Sequence, residues 1–268
     1  QIVCYDHHFP SPLFPHLSLN FFLRTRKDPD DPNSRLFTIR KDKFVPEEYY
    51  HIYSRVLFNA PEFSNHRNAN KLFQNFVLAN STKSTQAFLY LNNNKEKGYH
   101  EAVKIAQQGE KLVNILCYSI MPDHYHLLLQ ERIDGGIINF ISKCNVSIAK
   151  HINIKNKRRG PLFENRFQSK LIDSNEYLLH LSVYINLNPL DFLVNKDWRQ
   201  HKLENWGQVK NKLLNYPWSS AKDFLKGNYD NSIMSGTEII TKQFQNQKDY
   251  ERFLKEWSMN DFLSNEFE

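Results

Sequence analysis

The chain has 268 residues, 35 Lys and Arg against 29 Asp and Glu, a formal charge of +6, and 40% hydrophobic residues. That hydrophobic share excludes a disordered chain, no apolar run reaches the ~20 residues of a membrane span, and the N-terminus lacks the basic start and apolar centre of a signal peptide. Three scattered cysteines, Cys4, Cys117 and Cys144, form no CxxC pair, which argues against a disulfide framework or a cysteine zinc site and fits a cytoplasmic protein, while the modest basic excess suits a polyanionic partner or simply a solvated basic surface.

In chain order, residues 1–45 read as an irregular extension, because prolines interrupt every candidate element. Residues 46–228 read as the main domain and 229–268 as a helical tail. Tyr49–Phe58 is rich in aromatic and β-branched residues and reads as a first strand. Ala69, Leu72, Phe73, Phe76 and Val77 recur at helical spacing, which predicts a helix to about Asn80. Residues 81–110 are polar and read as an insertion with some helix near 102–107. Leu112–Met121 predicts a second strand, Pro122-Asp123 a turn, and His124–Glu131 a third strand running back. Ile137, Ile141, Cys144, Ile148 and Ile152 mark a second helix. Lys155-Asn156-Lys157-Arg158-Arg159-Gly160-Pro161 is a basic loop, and Phe163–Ile172 a fourth strand. A third helix is expected from Ser174 to about Leu187, with Asp173 as its cap and Pro189 as its stop. Tyr216-Pro217-Trp218-Ser219-Ser220 reads as the start of a short helix, and Tyr250, Phe253, Leu254 and Trp257 form a helical stripe. The order strand, helix, strand, strand, helix, strand predicts an α+β fold: a ferredoxin-like antiparallel sheet with helices on one face, an added helix after the last strand, and the other face open to a ligand.

The third strand carries the main chemical signal. Side chains alternate along a strand, so His124 and His126 share one face, roughly 7 Å apart, and Tyr125 takes the other. Two imidazoles so placed can converge on a metal ion, although an HxH pair is also compatible with a half-buried structural strand. The third helix contributes Tyr184 and Asn188 four residues apart, on one face with Cβ atoms about 6 Å apart, and His180 one turn earlier. His180 reads as a neighbour or DNA contact rather than a ligand. A phenol has a pKa near 10 and is a weak nucleophile at neutral pH. A divalent cation held by neutral ligands keeps its Lewis acidity and could orient a phosphodiester for such a nucleophile. Imidazole suits Mn²⁺ and oxygen ligands suit Mg²⁺, so the ligand set leaves both open. Lys157, Arg158 and Arg159 in the basic loop, with Arg166 and Lys170 on the fourth strand, are candidate DNA contacts.

M-P-D-H-Y-H-L-L-L followed by Y-I-N-L-N-P resembles the single-tyrosine HUH transposases, and more closely the REP-associated tyrosine transposases and their insertion-sequence-200-like relatives. Y-H-I-Y-S-R, G-P-L-F-E-N-R-F and Y-P-W-S-S extend the resemblance over roughly residues 46–226. Asp123 departs from it, standing where that family commonly has Asn. The resemblance implies His124, His126 and Asn188 as ligands of Mg²⁺ or Mn²⁺, and Tyr184 as the catalytic nucleophile. It implies cleavage and rejoining of single-stranded DNA, beside hairpins, through a 5′-phosphotyrosine. It also implies either a homodimer that exchanges the tyrosine helix or a monomer. The alternative is a catalytically inactive, domesticated protein that binds structured DNA. A metallo-hydrolase of small phosphoesters would need more carboxylate ligands than the histidine strand has nearby.

Overall fold

The computed structural model describes residues 43–94, 98–194, 198, 205–229 and 233–259. Nearly all of the expected N-terminal extension, and the last nine residues of the tail, lie outside the described residues. The elements are β1 (Tyr49–Arg55), α1 (His66–Ala79), α2 (Ser84–Asn94), α3 (Tyr99–Gln107), β2 (Val113–Ile120), β3 (His124–Glu131), α4 (Gly136–Lys155), β4 (Gln168–Ile172), α5 (Asn175–Leu187), α6 (Leu190–Leu193), α7 (Trp206–Asn215), α8 (Ala221–Lys226), α9 (Glu238–Thr241) and α10 (Gln247–Met259). The four strands form one antiparallel sheet in the order β2-β3-β1-β4, the ferredoxin-like order expected of this element sequence.

One sheet face is apolar. Tyr50, Ile52, Tyr125, Leu127 and Leu129 point to it and are buried beneath α1 and α4. Phe76 of α1 meets the Tyr125 ring edge-on at 5.5 Å, and the Tyr125 hydroxyl donates to Asn145 of α4 at 2.8 Å. Asn65 caps α1 by accepting from Arg67 N (3.1 Å) and Asn68 N (3.4 Å). At Gly136, which opens α4, an added Cβ would stand 2.3 Å from the Leu112 carbonyl oxygen, so the helix can start this close to the sheet only without a side chain.

The polar stretch 81–110 is more structured than its composition suggests. It folds as α2 and α3, whose Ala87, Leu91, Ala102 and Ala106 bury against Leu78 in a small core of their own. Asn80 accepts from Leu112 N (3.0 Å) and Val113 N (2.9 Å), so the insertion leaves and rejoins the domain at one point. Sparse small apolar residues suffice because two short helices need to cover only each other.

The opposite sheet face is open only in part, which narrows the expectation. α5 lies across β2, β3 and β4, because Leu181, Val183, Ile185 and Leu187 give it more apolar surface than a solvent-facing helix could carry. Other boundaries shift for local reasons. β1 stops at Arg55, since Phe58 and Asn59 adopt left-handed backbone within a 3₁₀ turn. β4 starts only at Gln168; upstream, Phe163 makes an isolated bridge to Val56. The cap of α5 is Ser174, accepting from Tyr177 N at 3.2 Å, rather than Asp173. Pro189 does not push Asn188 out of helical backbone. Asn188 (φ −48, ψ −38) and Pro189 (φ −55, ψ −21) are both helical, and the chain turns directly into α6. The missing N–H of Pro189 interrupts the hydrogen-bond ladder without preventing a new helical start.

Tyr216–Ser220 leads into the expected short helix, α8, with Ser220 at its N-cap, but is not itself helical. It runs along β2, with Ile120 N donating to Trp218 O (2.8 Å) and Ser220 N to Tyr118 O (2.9 Å). This edge segment begins a buried polar chain. Tyr118 N donates to Ser220 Oγ (3.0 Å), Ser220 Oγ to Asn186 Oδ1 (2.6 Å), and Asn186 Nδ2 to the Tyr250 hydroxyl (3.0 Å), which lies 3.2 Å from Ser182 Oγ. Asn186 and Ser182 belong to α5, Tyr250 to α10. The tail is therefore the clamp that holds α5 on the sheet. Asn186→Ala is expected to cost about 2 kcal/mol, because it leaves buried groups unpaired. Denaturant unfolding of Asn186→Ala, Tyr250→Phe and the double variant should show less than additive losses.

Candidate metal and DNA site

The strand register builds the site. Tyr53 pairs with His126, Arg55 with His124 and His51 with Leu128 on one side of β1, while His51 pairs with Lys170 and Tyr53 with Gln168 on the other. The face opposite the apolar core therefore carries His51, Tyr53, Arg55, His124, His126, Gln168 and Lys170. α5 brings Tyr184 to this face. Its ring lies 5.5 Å from the His126 ring and 6.3 Å from the His51 ring, edge-on to both. The two predicted histidine ligands do sit together, with ring centroids 4.9 Å apart at near right angles.

Each histidine is held by its Nδ1. His124 Nδ1 lies 2.6 Å from Asp123 Oδ1. The carboxylate accepts the hydrogen bond from Nδ1–H, which leaves the His124 Nε2 lone pair available. Burial works to raise the Asp123 carboxyl, but the hydrogen bond and charge of His124, together with Arg55, outweigh it and hold it below its ordinary value. His126 Nδ1 lies 2.9 Å from His51 Nε2. Burial first, and the nearby Lys170 charge second, lower the His51 pKa to about 3, so His51 is neutral. A neutral His51 can accept the His126 Nδ1 proton, which again leaves the His126 Nε2 lone pair for a metal. With the reverse tautomers, the His126 Nε2 would carry a proton and bind nothing.

These partners make a divalent ion chemically suited to the pair. Among the described residues no group of three His, Cys, Asp or Glu side chains is arranged to hold a metal. Asn188 is buried one turn beyond Tyr184, with its backbone N–H donating to Tyr184 O at 3.0 Å.

The structure separates the other candidates. A cleft of about 310 Å³ opens beside His126, lined by Tyr53, Ser54, Arg55, Glu164, Asn165, Arg166 and Gln168. Arg166 thus reaches the site, and Arg55 joins it unforeseen. Lys170 is exposed on β4, its ammonium 4.7 Å from the Tyr177 ring. Lys157 and Arg159 are exposed in the basic loop, whereas Arg158 is engaged with Pro161 O (2.9 Å) and Glu62 (3.7 Å). His180 is a structural neighbour of the site's helix. Its Nδ1 accepts from Trp257 Nε1 at 2.9 Å, joining α5 to α10. Tyr184 is only 2% exposed, beneath the helix that carries it. His51 and Tyr53 escaped the sequence reading because Y-H-I-Y resembles any aromatic strand. Their alternation with period two, in register with the HxH strand, was the available signal.

Residues 78–188 match the family model described as "Transposase IS200 like". Over that stretch, which contains His124, His126, Tyr184 and Asn188, the chain is similar to the IS200-like transposases, and this bears out the resemblance drawn from its sequence. A solved structure described as "Structure of the REP associates tyrosine transposase bound to a REP hairpin" aligns with 75% of this chain and 92% of its own, at 13% identity and a TM-score of 0.41. No curated protein matches the chain. No helix among the described residues is long and apolar enough to cross a membrane.

His51→Phe keeps an aromatic ring of similar bulk but removes the acceptor for His126 Nδ1. Isothermal titration with Mn²⁺ is expected to show affinity reduced about 10–100-fold. Asp123→Asn, which retains an acceptor oxygen for His124, should lose less.

Proposed function

We propose that the protein is a metal-dependent, single-tyrosine transposase that cuts and rejoins single-stranded DNA beside hairpins. The observation that carries this reading is the placement of Tyr184 against His126, the inner member of an HxH pair whose rings lie 4.9 Å apart and whose Nδ1 atoms are both engaged.

In this reading His124, His126 and Asn188 hold a divalent ion, Mg²⁺ or Mn²⁺. When bound, the ion supplies Lewis acidity to the scissile phosphodiester. Asp123 and His51 keep the two imidazoles oriented and neutral at Nε2. Arg55 and Arg166, at the mouth of the cleft, take the flanking backbone phosphates, with Lys170 further along β4 and Lys157 and Arg159 at the loop. The Tyr184 oxygen forms a bond to phosphorus as the bond from phosphorus to the 3′ oxygen breaks. The phenol proton is balanced by the proton gained on the departing 3′-hydroxyl, and the 5′-phosphate remains on Tyr184. The ester conserves the energy of the broken bond, so a 3′-hydroxyl can later reverse the step without a high-energy cofactor. Because Tyr184 is buried, the groups covering the phenol must shift before a phosphate reaches it. The proline after Asn188 interrupts the hydrogen-bond ladder at the C-terminal end of α5. The same α5 is clamped by its own chain through Asn186 and Ser182, which favours a tyrosine acting within one monomer over an exchanged helix.

The burial of Tyr184 also favours a second reading, a catalytically silent protein that binds structured DNA through the same cations. The two separate on one measurement. Hairpin oligonucleotides with single-stranded flanks, incubated with Mn²⁺ or Mg²⁺, should yield a denaturation-resistant protein–DNA adduct. Tyr184→Phe should abolish the adduct and leave binding within about twofold. Binding with no adduct in the unmodified protein selects the silent reading. An adduct that survives in Tyr184→Phe but disappears in Tyr53→Phe moves the nucleophile to the cleft wall.

A further inference from the structure

Phe58 is 92% exposed, the most exposed of the large hydrophobic residues described. Its backbone is left-handed (φ 58, ψ 26), and so is that of Asn59 (φ 51). Asn tolerates this region because its short side chain can bond locally; Phe gains nothing from it. The fold nevertheless fixes it there. Asn59 N donates to Val56 O (3.1 Å) and Ala60 N to Leu57 O (3.2 Å), closing the turn. Val56 N donates to Asp123 O (2.8 Å), and Leu57 N to Leu162 O (3.0 Å), so the turn is anchored on both sides. An unfavourable backbone that turns a large apolar ring into water is a cost without a structural return, and such outliers point to function.

The anchoring also says where the ring stands. Asp123 is the partner of His124, and Arg55, three residues before Phe58, pairs with His124 in the sheet. Leu162 belongs to the chain just after the basic loop. That loop is pinned to the Phe58 turn through Arg158, whose guanidinium lies 3.7 Å from Glu62. Lys157 in the loop is likewise left-handed (φ 50). Lys157 and Arg159 are exposed in that loop, and Arg55 and Arg166 are exposed at the cleft. An exposed aromatic ring set among exposed cations, at the sheet end that carries His124, has the composition of a single-strand binding platform. The cations match the sugar–phosphate backbone and the ring matches the face of an unpaired base.

We propose that Phe58 is a base-stacking residue that receives one unpaired nucleobase of the DNA strand lying next to the His124–His126 site, with Lys157 and Arg159 on the adjacent phosphates. This rests on the DNA-cleaving reading above, and makes Phe58 a positioning residue rather than a catalytic one.

The test uses the full chain and hairpin oligonucleotides whose single-stranded flank carries 2-aminopurine at one position at a time. The unmodified protein should quench the probe at one or two positions. Phe58→Ala and Phe58→Leu should lose that quench and raise Kd about tenfold, the scale of one base–aromatic stack, whereas Phe58→Trp should keep both. An abasic site at the quenched position should weaken the unmodified protein equally and Phe58→Ala no further. Phe58→Gly, which accepts the left-handed backbone freely, should melt no lower than the unmodified protein while binding as poorly as Phe58→Ala. Phe58→Ala binding like the unmodified protein, or Phe58→Leu doing so, overturns the inference alone, the latter pointing to an apolar protein contact. Failure of the unmodified protein to bind any such oligonucleotide overturns the functional reading together with it.

Discussion

The position of α5 on the sheet depends on a buried run of hydrogen bonds from Tyr118 N through Ser220 and Asn186 to Tyr250 and Ser182. Apolar contacts alone press a helix onto a sheet without fixing its rotation, since they are non-directional. The amide of Asn186 is directional. It needs Ser220 on one side and Tyr250 on the other, and only one rotation of α5 satisfies both. With that rotation set, Tyr184, two residues back, meets His126 and His51. Trp257, donating to His180, fixes the other end of the helix. The C-terminal helices thus act on the site without touching it.

The face that α5 covers is unusually polar for an interior. His51, His126 and Tyr184 are all buried there. Burying polar groups is tolerable only where partners are supplied. Here the partners also impose chemistry. The Asp123 carboxylate and the neutral His51 both engage Nδ1 atoms, and each can accept from an Nδ1–H, so two different partners serve the same orientation. One partner is a half-buried anion beside Arg55 and the other an uncharged ring in the interior. A charged partner at His51 would have been costly at that depth, and a neutral imidazole accomplishes the same orientation.

Mobility and rigidity are divided between the two ends of this face. At the His124 end, two loops with left-handed residues are bound to each other and to the hairpin turn, which gives a rigid, cation-rich rim around the cleft. Over the sheet, Tyr184 is sealed under α5, whose C-terminal continuation passes through a proline. In the proposed reaction the DNA is received at the rigid rim, and the groups covering the phenol have to yield.

The sequence by itself determined the element order, and with it the ferredoxin-like topology, because hydrophobic periodicity and turn residues are local properties. The strand period of two placed His124 and His126 on one face, and the helix period placed Tyr184 and Asn188 on another. The order of residues also carried the family resemblance. Only the tertiary structure decided that Tyr184 meets His126, that α5 covers part of the face expected to be open, and that Tyr184 is buried. It alone brought His51 to His126, 75 residues away, and turned Tyr216–Ser220 and the tail into a clamp. Pro189 shows the limit locally, since a proline interrupts the ladder but packing decides whether the chain leaves the helix or begins another. Cross-strand register, helix rotation and burial arise from contacts between distant segments, and no local pattern encodes which surface another segment will cover.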